Sequence, residues 1–337
     1  MTETAPTRVI EPEAGGSGPP VAPEIRLDEH RRELTGYCYR MLGSVHDAED
    51  AVQETMVRAW RGLDRFDGRS TLKSWLYRIA TNVCLDALGG RKRRALPVDL
   101  TTPSPPLASL LGEPRAGSAW VEPVPDERIS TNGDPADVAV ARDSVRLAFV
   151  AALQHLPARQ RAVLILREVL RWRAEEVAEL LETTVASVNS ALQRARATMA
   201  SCDADSRPVD AMDDGQRELL ARYVGAFERY DMESLVTLLH EDATQNMPPY
   251  EMWLEGRDDI VAWMIGPGYE CRGSRLLPTT ANGCPAFGQY RPSGPGGRHE
   301  PWGLHVLEIS RGKVARLTVF LDTSLFPLFG LPQHPDD

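Results

Sequence analysis

Between Thr184 and Met199 the apolar residues Val185, Val188, Leu192, Ala195 and Met199 advance by three, four, three and four positions, a spacing that an α-helix gathers on one face. Ser187, Asn189, Ser190, Gln193, Arg194 and Arg196 are left for the other faces. The stretch before it is equally regular. Ala174 to Leu181 reads as a short amphipathic helix with Val177, Leu180 and Leu181 inward, and Glu182-Thr183 supplies a tight polar turn with Thr183 or Thr184 as N-cap. Leu156 to Met199 therefore reads as a helix-turn-helix, a unit that usually presents its second helix to the DNA major groove. A helical pair in any small bundle would share this pattern, so the upstream sequence decides between the two.

Upstream, residues 1–24 are rich in Pro, Gly, Glu and Thr and lack periodicity, which predicts disorder. Helices begin at about Arg26. Leu34, Tyr37, Cys38, Met41 and Leu42 make an apolar stripe that Gly43-Ser44 interrupts, and Asp47-Ala48-Glu49-Asp50 opens a second helix with acids on its dipole-favourable first turn. That helix runs to about Trp60, with Asp50, Gln53, Glu54 and Arg58 pointing outward. A third helix, from about Thr71 to Leu88, has a wide apolar stripe including Leu72, Trp75, Leu76, Ile79 and Val83, and ends in Gly89-Gly90 and the run Arg91 to Arg94. From Ala95 to about Pro135 the periodicity stops. Seven prolines fall between Pro97 and Pro125, the mark of a linker, yet Trp120 stands inside it, and an aromatic in such a tract usually docks on something.

Beyond a second polar break at Asp203 to Asp213, Arg217 to Leu239 reads as a helix and Arg257 to Ile265 as a shorter one. The period then changes. Leu276 to Tyr290 and Gly303 to Leu321 have strand-like content with a hairpin turn at Arg311-Gly312-Lys313, predicting an α+β unit with helices before an antiparallel sheet.

Charge and cysteine usage narrow the function classes. The net charge of −10 argues against nucleic acid only until it is divided: residues 203–337 hold 21 acids and 12 bases, while Arg61 to Arg94 holds nine bases against three acids. Lys73, Lys92 and Lys313 are the only lysines, and the arginine that replaces them suits bidentate phosphate and guanine contacts. The five cysteines form no C-x-x-C pair and have no histidine at zinc spacing, so no metal site and no disulfide framework is implied; Cys38 and Cys84 read as buried thiols. No apolar run approaches the roughly 18 residues that span a bilayer, and the first residues lack the basic and apolar regions of a signal peptide, so the expected location is cytoplasmic, with no membrane partner.

Two motif sets in order carry a resemblance. Asp47 to Thr55, Phe66-Asp67-Gly68 and Ser74 to Asn82 resemble the second region of extracytoplasmic-function sigma factors of the sigma-70 family, and Leu156-Pro157 through Arg196 resemble their fourth region. Asp213 to Met264, with Trp253 to Ile260, resembles a SnoaL-like, ketosteroid-isomerase-type cone that a subset of these factors carries, and Trp120 to Asp126 looks like their linker motif. The implied fold is multidomain: two all-α helical domains, then an α+β cone. The implied boundaries are a tail at 1–24, region 2 at 25–95, a linker at 96–134, region 4 at 135–202, a linker at 203–212 and the cone at 213–330.

The resemblance also implies roles. The second helix would dock on the clamp helices of the RNA polymerase beta-prime subunit through Asp50, Gln53, Glu54 and Arg58. The third helix and its preceding loop would melt and hold the −10 element with Phe66, Ser70, Lys73, Arg78 and Asn82, Asn82 at the position that reads a base, while Arg91, Lys92, Arg93 and Arg94 hold phosphates. Ser187, Asn189, Ser190, Gln193 and Arg194 would meet the −35 element, with Arg171, Arg173 and Arg196 on its backbone; Asn189 and Ala191 depart from the basic residues common there, which bears on the sequence recognised and not on the act of binding. In the cone, His240, Tyr250, Trp253, His305 and Asp322 are candidates to line a pocket for a small molecule. No cofactor is implied. The resulting expectation is an alternative sigma factor, itself not an enzyme, that recruits core polymerase to promoter DNA and whose acidic cone packs on the linker and the basic DNA-binding faces. Two readings stay open beside it: a duplex-binding regulator independent of polymerase, and a small-molecule enzyme of the cone fold.

Overall fold

The computed structural model describes residues 27–66, 68, 70–129, 142–202 and 212–336. The expected tail at 1–24 and most of the polar break at 203–213 lie outside the described residues.

The first helical domain is built from α1 (Arg31–Leu42), α2 (Val45–Gly62) and α3 (Leu72–Leu88). Each boundary has a local cause. Gly43, at φ 70, ends α1 in a left-handed cap; the Ser44 hydroxyl then accepts from the Asp47 amide to start α2. The Thr71 hydroxyl does the same for the Ser74 amide at the start of α3. Leu34, Tyr37 and Met41 of α1, Ala48, Val52 and Ala59 of α2, and Leu76, Ala80 and Cys84 of α3 close the core, where Cys38 and Cys84 are both fully buried. Tyr37 and Thr81 exchange a buried hydroxyl–hydroxyl bond of 2.7 Å between α1 and α3.

The proline-rich stretch after Arg94 carries only short three-ten turns before the one-turn α4 (Asp126–Ile129), yet it is packed. Trp120, Val121 and Val124 are buried, and Trp120 bridges Ala95 in parallel register, so the aromatic does dock.

The second helical domain comprises α5 (Leu147–Leu153), α6 (Ala158–Leu164) extended by a π-turn over Ile165–Val169, α7 (Ala174–Leu180) and α8 (Val185–Cys202). Thr184 is the N-cap of α8: its hydroxyl accepts from the Ser187 amide at 3.1 Å. Val188, Leu192 and Ala195 are buried, as the period requires, and Glu182, at φ 51, makes the turn.

The C-terminal domain sets α9 (Asp214–Glu228), α10 (Met232–Leu238) and α11 (Arg257–Ile265) against a six-stranded sheet: β1 (Leu239–Asn246), β2 (Trp253–Glu255), β3 (Arg275–Ala281), β4 (Cys284–Arg291), β5 (Glu300–Ser310) and β6 (Lys313–Phe320). The strand order is β2-β1-β6-β5-β4-β3. Three sequence expectations are corrected. The helix expected over Arg217 to Leu239 is two, because Tyr230 takes φ 56 and the Asp231 carboxylate caps a new start by accepting from the Ser234 amide. Two strands precede the expected ones, and the sheet is not wholly antiparallel, since β1 runs parallel to β6. The β5–β6 turn falls at Arg311-Gly312, both with positive φ, and the β3–β4 turn at Asn282-Gly283 has the same geometry, that of a two-residue type I′ hairpin.

One apolar cluster runs without interruption through both helical domains, Val121 and Val124 of the linker, and Ala281, Cys284, Tyr290 and Phe326 of the C-terminal domain. A second cluster lies between the C-terminal helices and the sheet, with Phe227, Leu235, Trp263 and Leu307 at its centre.

Candidate functional site

The expected polymerase-facing residues Asp50, Gln53, Glu54 and Arg58 are exposed on α2, one turn apart, because Val52, Thr55, Met56 and Ala59 take the inward positions. Arg58 donates to Glu54 at 2.7 Å and approaches Asp86 of α3 at 3.5 Å, so part of this face is already internally paired. Trp60, next along, is the most exposed large apolar side chain of the helix. At the other end, Arg128 of α4 bonds Glu49 at 2.8 Å, which brings the end of the described linker beside Asp50 and Gln53.

On α3 and its preceding loop, Phe66 stacks on Trp75 with ring centres 5.1 Å apart, while Ser70 is half-buried. Lys73 is exposed, bonded to Glu33 at 2.5 Å and lying over the Tyr77 ring, and Asn82 is exposed. Arg78 turns toward the second helical domain: its guanidinium donates to the Glu179 carbonyl of α7 at 3.4 Å and sits 3.6 Å from the Glu179 carboxylate. Beside it, Tyr77 and Trp172 pack at 5.1 Å. The helix expected to hold single-stranded DNA is thus docked, along one flank, against the helix-turn-helix.

The basic run divides. Lys92 is exposed, and Arg91 and Arg93 are exposed with local partners, Asp47 at 2.8 Å and His155 at 2.7 Å. Arg94 departs from the phosphate-holding expectation. Its side chain is only 11% exposed, and it donates to Asp47 at 2.8 Å, to the Trp120 carbonyl at 2.9 Å and to Glu122 at 3.3 Å, which makes it the clasp between α2 and the linker. Burial pushes the Asp47 carboxyl up, but the hydrogen bonds from Arg94 and Arg91 outweigh it and hold the group below the usual carboxylate range.

On the helix-turn-helix, Ser187, Asn189, Ser190, Gln193, Arg194 and Arg196 of α8 are all exposed, as are Arg171 and Arg173 before α7. Arg196 pairs with Glu168 at 2.5 Å. Ala191, singled out with Asn189 as a specificity position, instead packs half-buried on the core, so Asn189 alone of the two faces outward.

Two buried groups that the sequence did not flag hold the domains together. Arg161 of α6 is 4% exposed and donates to the Gln154 side chain at 2.6 Å, to the Gln154 and Leu156 carbonyls at 3.2 Å each, and to the Met41 carbonyl of α1. Burial lowers its pKa to about 10, still far above neutrality, so the charge persists and is spread over carbonyl acceptors. Asn282, at the tip of the β3–β4 hairpin, is fully buried among three other segments. Its amide donates to the Tyr39 hydroxyl of α1 at 2.7 Å and to the Val145 carbonyl at 2.6 Å, and accepts from the Val124 amide of the linker at 2.9 Å. Gly283 adds a bond from its amide to Asp126 at 2.7 Å and accepts from Arg142 at 2.6 Å. An Asn-Gly pair between two strand-like runs was the available signal.

The expected pocket residues scatter. Tyr250 and His305 line a cavity of about 210 Å³ between the C-terminal helices and the sheet. The other three do not: Trp253 turns its indole outward to donate to the Thr101 carbonyl at 2.9 Å, His240 pairs with Asp242 at 2.6 Å, and Asp322 caps the turn after β6 by accepting from the Ser324 amide. Burial drives the His305 imidazole down to a pKa of about 3, so it is neutral near physiological pH and a poor base. Of the expectation that the acidic cone packs on the linker and on the basic DNA-binding faces, the linker contact is present and the basic-face contact is corrected. Arg115 of the linker pairs with Glu251, but the Asn282 joint is made of neutral amide, hydroxyl and backbone groups beside the apolar cluster. Among the described residues, no group of three or more His, Cys, Asp or Glu could hold a metal ion, and no helix is long and apolar enough to cross a membrane.

Comparison with known proteins assigns these parts. Residues 27–94 match the sigma-70 region 2 model, 146–199 the sigma-70 region 4 model, and 220–317 the SnoaL-like domain model. The chain is 48% identical over 310 residues to the ECF RNA polymerase sigma factor SigG of Mycobacterium tuberculosis, covering 90% of this chain and 82% of that protein. It is 29% identical over 170 residues to the ECF RNA polymerase sigma factor SigW of Bacillus subtilis, covering 50% of this chain and 82% of SigW. The crystal structure of SigJ from M. tuberculosis, an extracytoplasmic-function sigma factor, superposes with a TM-score of 0.59 at 24% identity over 92% of this chain and 99% of that one, so the two share the fold.

Proposed function

Since the chain belongs to the extracytoplasmic-function RNA polymerase sigma factors, non-enzymatic initiation factors that bind core polymerase, we propose that the structure is the closed, promoter-silent state of a bipartite promoter reader. Its SnoaL-like domain tunes activity by holding the two readers together. The observation that carries this reading is the Asn282 joint, in which one hairpin tip bonds region 2, the linker and the segment entering region 4.

Geometry makes the closed state incompatible with promoter reading. The −10 and −35 elements lie about 25 base pairs apart, and at about 3.4 Å per pair the readers must sit roughly 80 Å apart along straight duplex. Here Arg78 of α3 touches Glu179 of α7. Opening separates them, frees the α3 flank with Arg78 for the melted strand, and leaves Asn82, Lys73 and Phe66 to capture bases. The outward face of α8, with Ser187, Asn189, Ser190, Gln193 and Arg194, then reads duplex in the major groove while Arg171, Arg173 and Arg196 hold phosphates. Asp50, Gln53, Glu54 and Arg58 dock on the clamp helices of the polymerase, and Arg91, Lys92 and Arg93 exchange local partners for DNA backbone.

Run-off transcription with purified core polymerase tests the tuning role. A chain ending at Cys202 should give a different yield of promoter-specific transcript from the full chain at equal concentration. Equal yields would remove the C-terminal domain from the account.

A further inference from the structure

The cavity in the SnoaL-like domain has a composition that defines what it can hold. Phe227, Met247, Trp263 and Val319 give it apolar and aromatic walls, and its volume of about 210 Å³ exceeds the roughly 150 Å³ of an apolar cavity that takes up a single benzene ring. Two fused rings fit that space. Its polar groups are uncharged or already committed. Gln289 accepts on Oε1 from His305 at 2.7 Å and donates from Nε2 to Ser274 at 2.9 Å. Arg291 bonds Glu270 through Nη2 at 2.7 Å and lies 3.9 Å from the Trp302 ring centre, so its charge is matched, although its Nε–H has no partner. An ionised ligand would find no unmatched counter-charge and would lose its hydration.

Two buried polar atoms of the lining have no hydrogen-bond partner, Arg291 Nε and Gln245 Oε1, and only the second is an acceptor. Gln245 of β1 is 3% exposed and lines the cavity, and its Oε1 has no hydrogen-bond partner. Leaving such an acceptor unpaired costs about 1–3 kcal/mol, which a hydroxyl group entering the cavity would recover. A hydroxyl both donates and accepts, so it meets either orientation of the amide.

The cavity is also closed by a residue from outside its own domain. Leu111 of the linker forms part of its wall. Beside the Arg115–Glu251 ion pair, the linker is strapped there by four hydrogen bonds around the β1–β2 loop: Trp253 Nε1 to the Thr101 carbonyl and the Ser104 amide to the Trp253 carbonyl, both 2.9 Å, Thr101 Oγ1 to the Glu251 carbonyl at 3.0 Å, and the Arg115 amide to the Pro249 carbonyl at 2.9 Å. A few residues further, the same linker enters the joint through Glu122 and Val124.

The geometry points to this cavity as the binding site for a neutral, two-ring-sized apolar molecule bearing a hydroxyl group, anchored by Gln245 and covered by Leu111, whose displacement transmits occupancy to the linker. This rests on the reading that the SnoaL-like domain tunes the factor, but binding itself is measured without polymerase, so the two can fail separately.

The test is calorimetric titration of the full chain with 2-naphthol, and with 2-naphthoate as the charged counterpart. One molecule of 2-naphthol should bind per chain, with 2-naphthoate at least about tenfold weaker, and Gln245→Leu should weaken 2-naphthol about tenfold, the equivalent of one buried hydrogen bond. Val319→Trp, which fills the cavity, should abolish binding while the thermal midpoint holds; it serves if Gln245→Leu fails to fold. Amide exchange in the Leu107 to Trp120 stretch should rise on saturation with 2-naphthol. No binding, binding undiminished in Val319→Trp, or equal affinity for 2-naphthoate would overturn the site. Binding with unchanged linker exchange would overturn the coupling through Leu111.

Discussion

Replacing Asn282 by glycine removes the side-chain amide that joins three segments while keeping the backbone at ease, because Asn282 sits at φ 55 and glycine adopts that region freely. Three hydrogen bonds are lost, to Tyr39, Val145 and Val124, in a site closed to water. At about 1 kcal/mol per bond, the joint loses about 3 kcal/mol, and with a factor of ten for each 1.4 kcal/mol the open population should rise about a hundredfold. Native-state amide exchange reads that population through donors whose own bonds the substitution leaves in place: the Glu122 amide, bonded to the Gly43 carbonyl, and the Gly283 amide, bonded to Asp126. Their protection should fall by about two orders of magnitude, while amides of β5, deep in the cone sheet, keep theirs. Asn282→Ala should fall further, since a Cβ in the left-handed region adds roughly 1–2 kcal/mol. Protection at Glu122 within about threefold of wild type would show that the hairpin tip merely rests against the helical domains and would refute the reasoning.

How much of this was legible beforehand depended on whether a feature is local. The reading helix α8 was recoverable to within a few residues because its apolar steps and the Thr184 cap are written in consecutive positions. The same holds for α3, whose Thr71 cap precedes its stripe. Strand β1 was not, since LHEDATQN alternates poorly and is heavily polar, and its place beside β6 is set by tertiary pairing alone. The break at Tyr230 follows from one left-handed residue inside an otherwise helical pattern. Residue type also misled within the cone. Trp253 and His240 look like pocket residues, but which way a side chain points is decided by register, and Trp253 is drawn outward by a linker residue 152 positions away. Arg94 reads as a phosphate contact and nothing in the sequence marks Arg161; only the meeting of domains makes the one a clasp and the other a buried tie.

Further expectations follow from the same contacts. Arg161→Met should destabilise the chain by about 3–5 kcal/mol in urea melts, because it strips a buried donor from several carbonyls at once, and a loss below about 1 kcal/mol would contradict that role. Asp47 has a folded pKa below its unfolded value of about 3.9, so its contribution is present above that pH and is lost as pH falls through the folded value; the stability gap between wild type and Asp47→Asn should be widest near neutrality and close in acid, and a gap independent of pH would be the contrary result. Arg194→Ala, on the exposed face of α8, should weaken holoenzyme binding to a cognate promoter by about 1–3 kcal/mol in gel-shift titrations without moving the thermal midpoint; undiminished binding would remove it from the reading face.

The central claim is that a chain folded with its two readers in contact must part them to start transcription. Spin labels attached through unnatural residues at Asp86 of α3 and Ala197 of α8, both exposed, measure that separation directly by dipolar spectroscopy. A short, single distance in the free chain should give way to one longer by tens of ångströms, of the order that the promoter spacing dictates, once core polymerase and promoter DNA are bound. The same short distance in an initiation complex that makes promoter-specific transcript would contradict the account.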